Sequence, residues 1–494
     1  MSQTTNEGST LGGSRKLTLI DAVAQSVGFM GPVFSIAFLV PLLVGLNASG
    51  KGAGVAAPLS VLLAAIGVLA LGWIVAQYAK RIHAAGSLYD YVTDGLGPRV
   101  GGAAGYLYYT GILVLGAGLL VLIGGFIHDT LQAEFNKTPL STTAWMFVVF
   151  VVIAVITYFG VALSTRAQLV LAMTSMAVVL IFFLHLIFTV HNDVGKAFNP
   201  SSSPQNLSGV LFGVLYGVLL FTGFETAANL GEETAHPKRD IPRAVLIAVL
   251  AIGGFYLIGA YAQIAGFHFS LDEIGKNAGA PLFALAAPHA AGGYGSVAVG
   301  RLLELVVALD MFAVLLGCSV AASRGFFALA RDERMPKPLA TVSRRGTPFN
   351  AMLVVMVFYV VTILITRFWT SLFALPETPH YFAVFAWGST FGGFALACIY
   401  LLMALGALRG LRDHEQYGGV VAAAVLGILV TAGAIFGAVY KVASPTIWAP
   451  WTALIVLVLG FVLTYALPGK PGAGQRAVDE FAGLRPSEQD PQKL

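Results

Sequence analysis

Apolar stretches of roughly 20 residues or more recur along almost the whole chain, and each is long enough to cross the hydrocarbon core of a bilayer as a helix. That recurrence points to one architecture, an all-α polytopic membrane protein. Composition agrees: 57% of the 494 residues are apolar and only 11% are charged, against about a quarter charged in soluble domains. Soluble enzymes and nucleic-acid binders are thereby excluded. The net charge of +4 would suggest an anionic partner in a soluble protein, but here the distribution of charge among loops carries more information than its sum. Cys318 and Cys398 both lie inside apolar stretches, so no disulfide framework is expected.

About twelve candidate spans run over 18–45, 54–78, 101–127, 142–161, 167–190, 208–230, 244–266, 299–328, 349–366, 381–406, 417–440 and 447–467. The first follows Arg15 and Lys16 but is too long for a signal-peptide core and has no small-residue cleavage site after it, so it counts as a span. With the N-terminus in the cytoplasm, 21 of the 28 Lys and Arg fall on the inner side, leaving Lys51, Lys137, Lys196, Lys276, Arg301, Arg367 and Lys441 outside. Insertion favours that bias, and an odd number of spans would spoil it, so both termini are placed on the cytoplasmic side of a cell membrane. Residues 1–17 and 468–494 read as cytoplasmic tails without apolar periodicity. In the longest outer connection, about 267–298, the apolar piece 281–287 is too short to span and predicts a short surface helix, either a lid or a packed loop.

The first and sixth spans share an oddity. Val27-Gly28-Phe29-Met30-Gly31-Pro32 puts two glycines and a proline near mid-membrane, and Phe221-Thr222-Gly223-Phe224-Glu225 puts a glycine and a carboxylate at comparable depth. Proline removes an amide hydrogen bond and glycine weakens a helix, so both spans are expected to break. Freed amides and carbonyls cannot face lipid and must be buried in protein or line a cavity. Broken helices five spans apart fit two five-helix repeats of opposite topology, about 18–190 and 208–404, with helices 11 and 12 (405–467) added to the ten-helix core.

Three stretches carry a family resemblance. They are Phe221–Glu225 followed by Gly231-Glu-Glu-Thr-Ala-His-Pro-Lys-Arg-Asp-Ile-Pro-Arg243; Ala330-Arg-Asp-Glu-Arg-Met-Pro336 with Arg344, Arg345, Thr347 and Pro348; and Ala85-Gly-Ser-Leu-Tyr89 with Tyr91 and Leu96-Gly-Pro98. In this order and spacing the chain resembles the amino acid-polyamine-organocation superfamily, permeases with a leucine-transporter-type fold. The resemblance implies secondary transport of an amino acid, amine or related cation by alternating access, with no cofactor and with the lipid bilayer as surroundings. It also implies that Gly28, Phe29, Met30 and Gly31 offer backbone amides to a substrate carboxylate, while carbonyls around Phe221, Thr222 and Gly223 receive its ammonium group. Side-chain selectivity would then fall to Phe29, Met30, Phe224, Tyr109 and Trp387. The chain departs from the pattern in a first helix with fewer glycines and in Leu219, which stands where some exchangers have a gating aromatic.

Acidic residues in or beside spans are expensive and count as functional candidates. Asp21 suits a cap at the start of the first helix. Glu304 is one turn from Arg301 and reads as a surface pair. Glu225 lies beside the second break, where relatives tie the acid to unwound backbone. Asp310 sits mid-helix among apolar residues with no base within a turn; burial there disfavours the charged form, which makes Asp310, with Glu225, a proton-coupling candidate or a counter-ion for a cationic substrate. By the resemblance sodium coupling is disfavoured, because sodium-dependent relatives place hydroxyls on the middle of the eighth helix, where Ala313-Val-Leu-Leu316 has none and Ser319 comes late; the fifth-helix lysine that some proton-coupled relatives use is absent too, since nothing cationic follows Arg166 until Lys196. The expectation is a proton-coupled amino acid permease; the alternatives are a polyamine or other organic-amine permease, or a sodium-independent exchanger. No metal-spaced cluster or nucleophile-base pair lies at membrane depth, and His185 alone is embedded in the fifth span.

Overall fold

The computed structural model describes residues 17–46, 51–82, 86–159, 165–230, 234–277, 280–343, 347–376 and 378–470. Ala85, the stretch 231–233, Arg344, Arg345, His83 and most of both tails lie outside the described residues.

Twelve helices among the described residues are long and apolar enough to cross a membrane. They are α1 (α1a, Leu19–Met30, and α1b, Pro32–Phe38 continuing through Leu39 into Val40–Val44), α2 (Ala57–Tyr78), α3 (Pro98–Phe135), α4 (Thr142–Phe159), α5 (Thr165–Thr189) and α6 (α6a, Asn206–Leu220, and the 3₁₀ segment α6b, Phe224–Leu230). There follow α7 (Pro237–Gly266), α8 (Val297–Arg331), α9 (Phe349–Phe368), α10 (His380–Gly410), α11 (Tyr417–Val439) and α12 (Trp448–Ala466). Several outrun the apolar stretches because their ends are polar but well capped. Pro98 opens α3 and Pro237 opens α7 at the position where a missing amide costs nothing. The Ser296 hydroxyl accepts the Val299 amide at the start of α8. At the start of α1a, Asp21 accepts both the amide and the hydroxyl of Thr18, so its role is a helix cap.

Burial sorts the helices. Within the apolar window of α3, 83% of residues are buried inside the protein, against 22% for α4 and 28% for α12, so α3 is central and α4 and α12 present their sides to lipid. Lipid offers apolar side chains no incentive to leave it, so packing in the centre rests on close backbone approach. The α3–α10 contact shows this: a Cβ at Gly118 would lie 3.3 Å from the Phe385 Cα, and one at Gly392 3.3 Å from the Leu115 Cβ.

The connection between α7 and α8 forms the helices Leu271–Lys276 and Pro281–Ala286. The second is the short helix expected from sequence, with Leu282, Leu285 and Ala286 buried and the Phe283 ring 5.5 Å from Phe126 and 6.1 Å from Phe38. Two of the stretches that carried the family resemblance pack on each other. Tyr89 donates to Asp332 Oδ2 at 2.7 Å, the buried Arg334 donates to the Pro98 carbonyl at 2.7 Å, and Tyr106 donates to the Arg334 carbonyl. Burial, then the neighbouring Asp332, push the Tyr89 phenol well above its ordinary value.

Candidate functional site

Both expected breaks form. In the first helix Gly31 takes the left-handed conformation, φ 51° and ψ 66°, and Pro32 restarts the helix without an amide to offer the Gly28 carbonyl. In the sixth, α6a ends at Leu220 and Gly223 turns the chain at φ 108° into a 3₁₀ segment. Each break requires its glycine, because a side chain would clash as well as strain the backbone: a Cβ on Gly31 would lie 2.0 Å from Val314 Cγ2, and one on Gly223 would lie 2.4 Å from Phe29 Cδ1.

The polar groups freed by the breaks are taken by specific partners. Asp310 Oδ2 accepts the amides of Val33 at 2.9 Å and Phe34 at 2.8 Å, so a carboxylate from α8 caps α1b across 277 residues of sequence. An anion at that position also meets the positive end of the helix dipole. The Met30 carbonyl, at the opposite lip, accepts the hydroxyls of Ser35 at 2.8 Å and Tyr256 at 3.4 Å. Gln263 of α7 donates to the Ile36 carbonyl at 2.9 Å. In the sixth helix the fully buried Glu225 accepts Tyr108 of α3 at 2.8 Å, Tyr400 of α10 at 3.1 Å and the Gly223 amide at 3.1 Å. Ser26 joins the two broken helices directly, donating to the Phe224 carbonyl at 2.9 Å and accepting the Ala227 amide at 3.2 Å.

Between the breaks lies a cavity lined by Phe29, Met30, Phe34, Ser35, Leu39, Leu115, Leu219, Thr222 and Val314. Its volume open to the centre of a water-sized sphere is about 20 Å³, room for about one water. The lining is apolar apart from Ser35 and Thr222, and the Thr222 hydroxyl is buried without a hydrogen-bond partner among the described residues.

Of the residues singled out from sequence, Phe29, Met30 and Thr222 meet at this cavity. Gly31 forms the break, whereas the amides of Gly28, Phe29 and Met30 lie within α1a; the amides that reach across the break belong to Val33 and Phe34. Phe221 packs edge-on to Tyr256 and Phe224 packs against Tyr400. The Tyr109 hydroxyl points at the Gly86 carbonyl, 3.3 Å away. Trp387 packs against Phe373 and Phe391 with its indole nitrogen buried and unpartnered. Arg301 does not hydrogen-bond Glu304, as expected, but Glu134 of α3. His185 contacts the Tyr294 carbonyl at 3.3 Å. Ser319 spends its hydroxyl on the Leu315 carbonyl and on Tyr359. Tyr108, Tyr400, Ser26, Ser35 and Leu115 were not singled out. Tyr108 stands seven residues from the cavity residue Leu115 and so on the same face of α3, a relation that shows only once the cavity is known.

Twelve membrane-crossing helices, two of them broken around a small cavity, are the architecture of a polytopic transporter. The chain belongs to the amino acid permease family, whose model matches residues 26–477. It is 26% identical over 363 residues to the branched-chain amino acid permease BcaP of Lactococcus lactis subsp. cremoris, covering 68% of this chain and 72% of the relative. It is 25% identical over 318 residues to a methylthioribose transporter of Bacillus subtilis, covering 61% and 66% of the two chains. In fold it is similar to a manganese transporter of Eremococcus coleocola, with a TM-score of 0.52 at 11% identity over 94% of this chain and 97% of that one.

Proposed function

We propose that the chain carries an amino acid with a small apolar side chain across the cytoplasmic membrane by alternating access, coupled to a proton, with both termini inside and a core of two inverted five-helix repeats. The observation that carries this reading is the cavity where the two breaks meet. Its apolar wall of Phe29, Met30, Leu115, Leu219 and Val314 suits an aliphatic side chain, and the unpartnered Thr222 hydroxyl suits a polar group of the ligand. The branched-chain substrate named for one relative is consistent with that lining.

A cavity with room for about one water does not admit an amino acid, so on this reading loading requires the elements around the breaks to part. Asp310 and Glu225 remain the coupling candidates: both are buried carboxylates, bound to backbone amides at the two breaks, and neither is paired with a base among the described residues.

The test is a thermal-shift screen of the purified protein in detergent against amino acids, polyamines and decarboxylated or amidated analogues at two pH values. A ligand stabilises only the state it binds. Stabilisation by an aliphatic amino acid and not by its amine analogue supports the reading; stabilisation by amines alone replaces it with an amine permease.

A further inference from the structure

The amides of Val33 and Phe34 already hold a carboxylate, and it belongs to the protein. Amides at the start of a half-helix near mid-membrane are where transporters of this build receive an anionic group of the substrate. Here both donate to one oxygen of Asp310, and Gly31 lets the Asp310-bearing helix come so close that a Cβ there would lie 3.5 Å from that same oxygen. Asp310 Oδ1 enters no hydrogen bond among the described residues and is free to take a proton. The cavity adjoins this point, since Phe34 and Val314, one turn along α8 from Asp310, both line it, as does the unpartnered and 95% buried Thr222.

We propose that Asp310 and the substrate carboxylate take turns on the Val33 and Phe34 amides, so that accepting one carboxylate-bearing substrate loads one proton onto Asp310. The proposal rests on the reading above that the substrate bears a carboxylate. Two ionised carboxylates cannot share one site in a low-dielectric interior. When the substrate carboxylate arrives, a proton from the aqueous phase must sit on Asp310, and the two N–H donors pass from the neutral acid to the incoming anion. The amide pair then holds one negative charge before and after the exchange, and the complex gains one proton per substrate. Exclusion between two anions at one donor pair is sufficient for this coupling, without a second ion site.

The surroundings isolate the exchange. Of the elements packed against α8, namely α1, α3, α4, α5, α9, the helix Pro281–Ala286 and the 3₁₀ segment Lys337–Ala340, none turns a lysine, arginine, histidine or second carboxylate to Asp310 among the described residues; Lys337 follows the far end of α8 at Arg331. The titratable side chain in electrostatic reach is the Tyr256 phenol of α7, engaged with the Met30 carbonyl.

The experiment measures amino acid affinity of the full chain in detergent by calorimetry as a function of pH. Once Asp310 is ionised in the free protein, the apparent Kd should rise about tenfold per pH unit, the slope that uptake of one proton requires. In Asp310→Asn the slope should vanish, and for a carboxyl-free analogue it should be absent in the wild type. A second arm reads the amide pair without any substrate: Asp310→Ala leaves it empty, so formate, but not chloride at equal ionic strength, should raise the melting temperature of this variant and leave the wild type unmoved. A flat pH profile in the wild type, a slope that survives in Asp310→Asn, or a variant indifferent to formate overturns the exchange. Failure of every carboxylate-bearing solute to bind at any pH refutes the substrate reading instead, while the formate arm still reports on the amides.

Discussion

Replacing Gly31 by alanine should injure the first break by an amount that can be worked out and divided. Two costs add. An L-residue in the left-handed region loses about 1–2 kcal/mol, and Gly31 sits there at φ 51° and ψ 66°. The new methyl would also lie 2.0 Å from Val314 Cγ2, an overlap of the kind that costs about 1–3 kcal/mol in a packed interior. The sum, about 2–5 kcal/mol, is expected as a loss of unfolding free energy in mixed micelles titrated with denaturing detergent. The two parts separate in a double-mutant cycle with Val314→Ala, which removes the clashing methyl but leaves the backbone strain. The cycle should show a coupling of about 1–3 kcal/mol in favour of the double variant, leaving the conformational cost behind. A loss below about 0.5 kcal/mol for Gly31→Ala, or additive single and double variants, would refute the claim that α1 and α8 meet through this glycine.

Three further perturbations follow from the same contacts. Thr222→Val removes a hydroxyl that has no partner among the described residues, so the melting temperature should hold or rise while substrate affinity falls about tenfold, the worth of one hydrogen bond; equal affinity would show that the substrate does not use it. Glu225→Gln keeps the shape but turns one acceptor into a donor facing Tyr108 or Tyr400, and should cost about 1–3 kcal/mol of stability, with Tyr108→Phe costing less; a neutral outcome in unfolding titrations would count against the bridge from α3 to α10. Ser26→Ala cuts the link between the two breaks and should destabilise by about 1–2 kcal/mol, read by the same titration.

The number and placement of the helices were legible because a bilayer imposes one length and one composition on everything that crosses it. The breaks were legible because Gly-Pro and Thr-Gly-Phe-Glu are costly in apolar helices unless something local uses them. Which backbone groups are freed was less so. Pro32 marks where α1b begins, but the span from Gly28 to Gly31 contains two glycines, and that Gly31 takes the turn, close against Val314, is seen in the folded chain. Asp310 was marked by its isolation among apolar residues, yet its partners are backbone amides 277 residues away, and an amide carries no side-chain signature. The two adjacent tyrosines of α3 show the same limit. One residue of helix rotation, about 100°, sends the Tyr109 hydroxyl to the Gly86 carbonyl and the Tyr108 hydroxyl to Glu225.

The cost of the two breaks explains why so many helices converge on them. An amide or carbonyl left unmet in an apolar interior costs several kcal/mol, more than packing at one contact returns. The protein meets that cost with side chains from α1 itself, α6, α7 and α8, namely Ser26, Ser35, Glu225, Tyr256, Gln263 and Asp310, and Tyr108 of α3 and Tyr400 of α10 hold Glu225 in turn. Apart from the Ser35 and Glu225 bonds to backbone, which stay within their own helices, each joins a broken helix to a separate one, so any displacement of α1b or α6b is felt at once by its partners on those helices. Among the described residues that line the cavity, Thr222 has a buried hydroxyl without such a partner. At the cavity wall, a polar atom left over in this way is a place where a ligand adds a hydrogen bond without first breaking another.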